Sequence, residues 1–295
     1  MNFVSTEDIT KQKWKFYFVA AVWPLFLLIT PWVFSKSMPV ALIMMIFPGA
    51  YIFTWVGFLM HETWHKYVPE LPNNLFYHLF SWMLLTDPQI YSMQHGSHHA
   101  QVNTWDDHEF HPLGKISHPF LRRTSNLIEI MTGIAFLVIV SSLTLPFRRQ
   151  FSQKYRVTSL IVSLLFIASF LGSIALVAHV ALHVSWHMIA IALVINFWID
   201  SCMLHHSQMI EHGNLIVTGD WNQRNLKVRN LSAGGLLEKC FLFLTHGDSR
   251  EHVLHHTLVS VYSRPFPGKV PMPDQAVFIN LQEYVGILWR MVTEG

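Results

Sequence analysis

Four long apolar stretches mark the chain, at about 16–35, 39–60, 158–179 and 184–204. Each is rich in Leu, Ile, Val and Phe and nearly free of charge. A hydrocarbon core about 30 Å thick takes roughly 20 apolar residues in a helix, so each stretch predicts a membrane-spanning helix. Only Ser35-Lys36-Ser37-Met38-Pro39 separates the first pair, and the second pair meets near His179 to His183, which predicts two tight hairpins. Two further apolar stretches, 74–86 and 126–145, are harder to place. Arg122 and Arg123 precede the second, and Arg148, Arg149, Lys154 and Arg156 follow it. Positive charge marks the cytoplasmic side, so basic residues at both ends predict a segment that dips in and returns or lies along the interface. A crossing there would also put the histidine-rich regions on opposite faces of the membrane. The polar remainder, 61–125 and 205–295, predicts a cytoplasmic cap. With no repeat, low-complexity run or Gly/Ser linker, the expected fold is one all-α integral-membrane domain over 1–295: four transmembrane helices in two hairpins under a cytoplasmic helical cap. The polar opening Met1 to Lys15 and the long apolar stretch after it predict a retained anchor rather than a cleaved leader.

Composition agrees with this reading. Hydrophobic residues make up 52% and charged residues 13%, against about 25% charged in soluble domains, and mean hydropathy is +0.32. A formal net charge of +2 gives no case for nucleic acid. Cys202 and Cys240 have neither metal-type spacing nor a disulfide pattern. The departure is the 19 histidines.

The histidines fall into three boxes. The first, His61-Glu62-Thr63-Trp64-His65, closes the second membrane helix, and its i,i+4 spacing puts both rings on one helical face. The second is His95-Gly96-Ser97-His98-His99 and the third His252-Val253-Leu254-His255-His256, each with i, i+3 and i+4 on one face. Three short helices can thus turn their imidazoles toward one point. Imidazole suits Zn, Cu, Fe and Ni. The boxes hold too many for a single tetrahedral zinc, which takes four ligands, so the count implies two metals or one metal with idle histidines.

This spacing resembles that of the membrane fatty acid desaturase/hydroxylase superfamily. The likeness extends to Asn73, Asn74 and Tyr91 between the first two boxes and to Asn103, Asp106, Asp107 and Glu109 after the second. It includes the pair Glu211-His212 and the basic residues Arg224 and Arg229 ahead of the third box, and covers roughly 40–265. The resemblance implies that His61, His65, His95, His98, His99, His212, His252, His255 and His256 hold two iron ions at the cytoplasmic face, with O2 as co-substrate. His205 and His206 compete with His212 for its role. Glu62, where many desaturases have Asp, and the apolar Val253-Leu254 in the third box mark a divergent branch.

Taking hydrogen from an unactivated C–H bond needs an oxidant that side chains cannot supply, so a metal activating O2 does the hard chemistry. Loss of a second hydrogen gives an alkene; oxygen rebound gives an alcohol. Carboxylates orient ligating histidines through the other ring nitrogen, and Asp106, Asp107, Glu211, Asp248 and Glu251 are the candidates. Asp200 also stands out, because an intramembrane carboxylate is costly. The expected substrate is a lipid or acyl chain arriving from the bilayer, along a path that Trp55, Phe58, Trp82 and Trp105 could line. No dinucleotide fingerprint is present, so electrons are expected from a separate ferredoxin-, rubredoxin- or cytochrome-b5-like donor, docking at Arg148, Arg149, Lys154 and Arg156.

Three other readings compete. A lipid or alkane hydroxylase would share the same ligands. His61-Glu62-x-x-His65 also matches the zinc-protease motif with Glu as general base, which leaves the other two boxes unexplained. A metal transporter could use the stripe His179, His183 and His187, yet the helix middles lack the ionisable residues of a translocation path.

Overall fold

The computed structural model describes residues 5–144, 153–258 and 268–295. The expected donor-docking residues Arg148 and Arg149 lie outside these, as do the side chains of Lys154 and Arg156. In chain order the helices are α1 (Thr6–Thr10), α2 (Lys13–Lys36), α3 (Met38–Met44), a π-helical turn (Met45–Gly49) and α4 (Ala50–His65). Then come α5 (Asn73–Met83), α6 (Pro88–Gln101), α7 (Pro119–Thr132), α8 (Ile134–Thr144), α9 (Gln153–Leu182) and α10 (Trp186–His212). The C-terminal part holds α11 (Trp221–Leu226), β1 (Arg229–Leu231), α12 (Leu236–Leu244), a 3₁₀ turn (Asp248–Arg250), α13 (His252–Thr257), β2 (Val277–Ile279) and α14 (Leu281–Thr293).

Among the described residues, four helical runs are long and apolar enough to cross a membrane: Glu7–Lys36, Met38–His65, Ile161–Leu182 and Trp186–His212. Three of them outrun the sequence expectation, Glu7–Lys36 with 30 residues among them. Met38–His65 has 28 residues and Trp186–His212 has 27, roughly 40 Å each at 1.5 Å per residue, against a core of about 30 Å. Their last turns therefore extend past the apolar length, and those turns carry His61 and His65 on one helix and Glu211 and His212 on the other. The bundle is held by a buried aromatic and aliphatic core from α2, α4, α5, α9 and α10. Trp23 sits at its centre, stacked on Phe26 at 5.8 Å and close to Phe53 and Phe197. The opposite faces of the same helices leave Leu25, Ile29, Leu164, Leu165, Leu176 and Val194 exposed, as a bilayer requires.

The two ambiguous apolar stretches become short helices. The 74–86 stretch forms α5, which buries Phe76, Phe80 and Met83. The 126–145 stretch is broken at Gly133 into the end of α7 and α8. Gly133 has φ 65° and ψ −144°, a conformation essentially confined to glycine. The break is stitched to α10: Ser201 Oγ donates to Thr132 O at 2.7 Å and accepts from Ala135 N at 2.7 Å, and Trp198 Nε1 donates to Met131 O. The all-α expectation needs one correction. β1 and β2 pair in parallel, Arg229 opposite Val277 and Leu231 opposite Ile279. This small ladder positions the third box, because Asn230 Oδ1 on β1 accepts from Val253 N at 3.1 Å.

Candidate metal centre

Each histidine box is held by a local device. The first is the end of α4, which stops at Lys66 in the left-handed conformation. The second rides on α6, started by Pro88 at its first turn and by the Asp87 carboxylate accepting from Gln89 N at 2.8 Å, a strong helix-start signal. The third is α13. His212 arrives from the end of α10.

These elements bring nine imidazoles into two adjoining groups. His61, His65, His95, His99 and His255 form one; His98, His212 and His256 form the other, with His252 and Glu211 beside His212. Within the first, the Nε2 atoms of His65, His95 and His99 stand 3.0, 3.0 and 3.2 Å apart, and those of His61 and His255 3.1 Å. Within the second, His98 to His256 is 3.3 Å, His256 to His252 is 3.1 Å and His212 to His252 is 3.1 Å.

Hydrogen bonding between neutral rings does not account for the approach of His98 to His256. Asn103 and Asn225 each give their amide NH₂ to a main-chain carbonyl, Arg224 O and Trp221 O. Their side-chain oxygens must therefore face His212 Nδ1 and His256 Nδ1, at 3.1 Å each, and both rings carry their proton on Nδ1. His98 Nδ1 donates to Asp107 Oδ2 at 2.7 Å and His95 Nδ1 to Glu109 Oε2 at 2.8 Å. In their neutral forms the rings of His98, His212 and His256 then carry no proton on Nε2, and the Nε2 atoms of His98 and His256 face each other at 3.3 Å. Lone pairs facing at such distances repel unless a cation lies between them. Nitrogens about 2.1 Å from one ion and at right angles around it stand about 3.0 Å apart, which is the spacing found. Burial holds the His255 and His256 imidazoles well below the usual range, so both are neutral, the ligating form. For His98 burial pulls the same way, but the Asp107 carboxylate outweighs it and raises the ring. The donor set fits two ions that favour imidazole.

The remaining expectations divide. Asp107 sits behind His98, Glu211 Oε2 lies 3.3 Å from His252 Nε2, and Asp248 lines the cavity described below. Asp106 is exposed, and only its main chain is engaged, its carbonyl by Ser97 Oγ. The carboxylate behind His95 is instead Glu109, three residues further on, which the acidic run after the second box signals without singling out. Glu251 turns away to accept from Gly268 N. His205 is committed to Glu129 at 2.9 Å, and His206 to Tyr284 and Ile130 O, so neither joins the groups. Asp200 is buried against Asn196 at 2.5 Å and is not among the residues lining the cavity. His179 packs on Trp186 and Val184 O. The supporting amides Asn103 and Asn225 were not anticipated in that role.

An apolar cavity of about 930 Å3, including its open mouth, leads to the centre. Its inner wall is His61, His95, His98, His212, His252 and His255, with Glu109, Glu211 and Asp248. Its apolar wall comes from Phe53 and Gly57 on α4, Ile134, Leu137 and Val138 on α8, and Leu204 on α10. Of the aromatics considered for a substrate path, Phe58 lines it; Trp55, Trp82 and Trp105 do not. The family model for fatty acid desaturases matches residues 35–263. The chain belongs to the fatty acid desaturase family. No curated protein and no solved structure matches it. Membership, the four apolar spans and the imidazole groups make this desaturase-family protein a membrane oxidase of the desaturase/hydroxylase type.

Ring-orienting partners tune metal affinity, typically by 10–100-fold. Asp107→Asn keeps the shape behind His98 and removes the charge. It is expected to weaken metal retention by about one to two orders of magnitude, read by competition with a chelator of known affinity.

Proposed function

We propose that this chain is an O2-dependent membrane di-iron oxidase that introduces a double bond into the alkyl chain of a fatty acyl or related lipid. The observation that carries the proposal is the pair of imidazole groups at the head of an apolar cavity inside a membrane-type bundle. His61, His65, His95, His99 and His255 would hold one iron, and His98, His212, His252 and His256 the other. Bound there, the irons supply O2 activation, the chemistry that side chains lack.

The protein's own residues do the rest. Asp107, Glu109, Asn103 and Asn225 hold the rings of His98, His95, His212 and His256 in the tautomer that carries its proton on Nδ1. Phe53, Leu137, Val138 and Leu204 bind the alkyl chain and exclude water from it. Glu211 and Asp248 are carboxylates that reach the cavity beside the histidines, where they can hold protons. The spans form two hairpins, the cap faces the cytoplasm, and a separate carrier supplies electrons. The zinc-protease reading gains no support, because Glu62 lies behind His61, 3.5 Å from Nδ1, and is not among the residues lining the cavity.

Lipid profiling of an expressing host under 18O2 tests the reaction. A new unsaturated chain without label supports desaturation. A labelled alcohol moves the reading to hydroxylation, and an unchanged profile with a cleaved peptide product moves it to the protease. The cavity wall makes a further prediction. Val138→Trp fills space on α8, an overpacking that costs about 1–3 kcal/mol, and is expected to shift products toward shorter chains, measured by mass spectrometry of a chain-length series.

A further inference from the structure

The metal centre has two faces. Six of its histidines line the alkyl cavity; the fully buried His256 does not, nor do His65 and His99. These two are also only half-buried, whereas His61, His95, His255 and the second group are buried. They mark a side of the centre turned away from the substrate and toward the protein surface. Three aromatic side chains frame it. The Tyr67 ring lies parallel to His65, 4.7 Å away with planes 7° apart. The Trp64 ring lies parallel to His99, 6.2 Å away with planes 8° apart. Trp221 is 39% exposed, and its indole N–H donates to the main-chain carbonyl of His99 at 2.9 Å. Its position is fixed twice: the capping box of Asp220 and Gln223 starts α11 at Trp221, and the Arg224 guanidinium clamps α11 to the end of α6 through Ala100 O and Gln101 Oε1. Over 64–67 and 220–227 the charged residues are Lys66, Arg224 and Lys227 against Asp220, whose carboxylate caps α11.

We propose that an acidic one-electron carrier protein docks on this aromatic collar and that Trp221 is the residue through which its electrons enter. The inference rests on the di-iron reading above. Desaturation with O2 forms two waters and consumes two electrons and two protons beyond the pair of hydrogens taken from the lipid. The carrier supplies those electrons singly, each carrier being oxidised by one electron as one ferric ion becomes ferrous. Tunnelling falls steeply with distance and favours bonded paths over gaps. The Trp221 N–H bond joins the surface to the carbonyl, Cα, Cβ and ring of His99, a bonded run to the metal-facing nitrogen. The cavity side offers no such approach, because the alkyl chain fills it. The excess of cations selects an acidic carrier, since complementary charge speeds encounter and falls off with salt.

The test uses the purified metal-loaded protein and three soluble probes: an acidic [2Fe–2S] ferredoxin, a rubredoxin and the haem domain of cytochrome b5. The fastest is carried forward, with dithionite as a small reductant that needs no docking surface. Stopped-flow absorbance follows metal reduction, and titration of the metal-free protein with oxidised carrier gives Kd. Trp221→Leu is expected to slow reduction by bound carrier severalfold, with Trp221→Phe in the same direction, while metal content, Kd and the dithionite rate hold. Lys66→Glu with Lys227→Glu is expected to slow association about tenfold at low salt and to flatten the salt dependence. Equal carrier rates in all variants, equal losses with dithionite and carrier, or a wild type that dithionite reduces and no carrier does would each overturn the collar while leaving the di-iron reading standing. A protein without redox-active metal would overturn that reading and the collar with it.

Discussion

Replacing His65 or His256 by Ala is expected to empty one metal position each and to abolish lipid oxidation in both cases. His65 belongs to the five-histidine group and His256 to the other. A lost His65 leaves a ligand gap, because the remaining Nε2 atoms are already paired within the group, His95 with His99 at 3.0 Å and His61 with His255 at 3.1 Å. Metal per chain should fall from two to about one in either variant, and activity by the several orders of magnitude that separate metal-assisted chemistry from none. Elemental analysis of both variants, beside activity on the same preparations, checks this. A variant that keeps both metals would remove its histidine from the ligand set. The loss at His256 should be local: burial holds this imidazole well below the usual range, so the ring is neutral and its removal leaves no uncompensated charge.

Gly133→Ala is expected to be the most damaging single methyl in the described fold. Its Cβ would lie 2.3 Å from Ser201 O and 2.6 Å from Cys202 N, both main-chain atoms of α10 that cannot swing aside. The φ of 65° and ψ of −144° add about 1–3 kcal/mol of strain for any residue with a Cβ. Together these reach the rare range of about 4 kcal/mol or more, roughly 10 °C in Tm for a chain of this size. Thermal unfolding in detergent measures it. Because α8 begins at Ile134 and supplies part of the cavity wall, a surviving Gly133→Ala protein should also lose chain-length selectivity. Gly57→Ala is the milder comparison. There the new Cβ would meet Leu204 Cδ2 at 2.9 Å, the end of a flexible side chain that can turn away.

Much of this was legible in the residues. The four spans follow from apolar length, and the three boxes from the i, i+3, i+4 spacing that any helix turns to one side. The choice among His205, His206 and His212 was not. Residues seven apart on a helix lie nearly on one face, so His205 and His212 cannot be told apart by periodicity. They differ by two turns along the axis, roughly 10 Å, and only packing reveals that Glu129 meets the first and Asn103 the second. The partners of the rings were hidden for a related reason. Asn225 reaches His256 across 31 residues of sequence and Asn103 reaches His212 across 109, separations that carry no local pattern. Within the acidic run the residues pointed to Asp106 rather than Glu109 as a ring partner, and the turn at 103–107 leaves Asp106 exposed and brings Glu109 to His95. The break at Gly133 was concealed because one glycine inside an apolar run leaves hydropathy almost unchanged. The ladder of β1 and β2 was too short to show an alternation.

The central claim is that nine histidines hold two irons beneath a lipid cavity. Metal analysis of the wild-type chain, purified in detergent without added metal, tests it most directly. The account predicts two irons per chain and no stoichiometric zinc. One zinc per chain, retained after His98→Ala or His255→Ala, would contradict it.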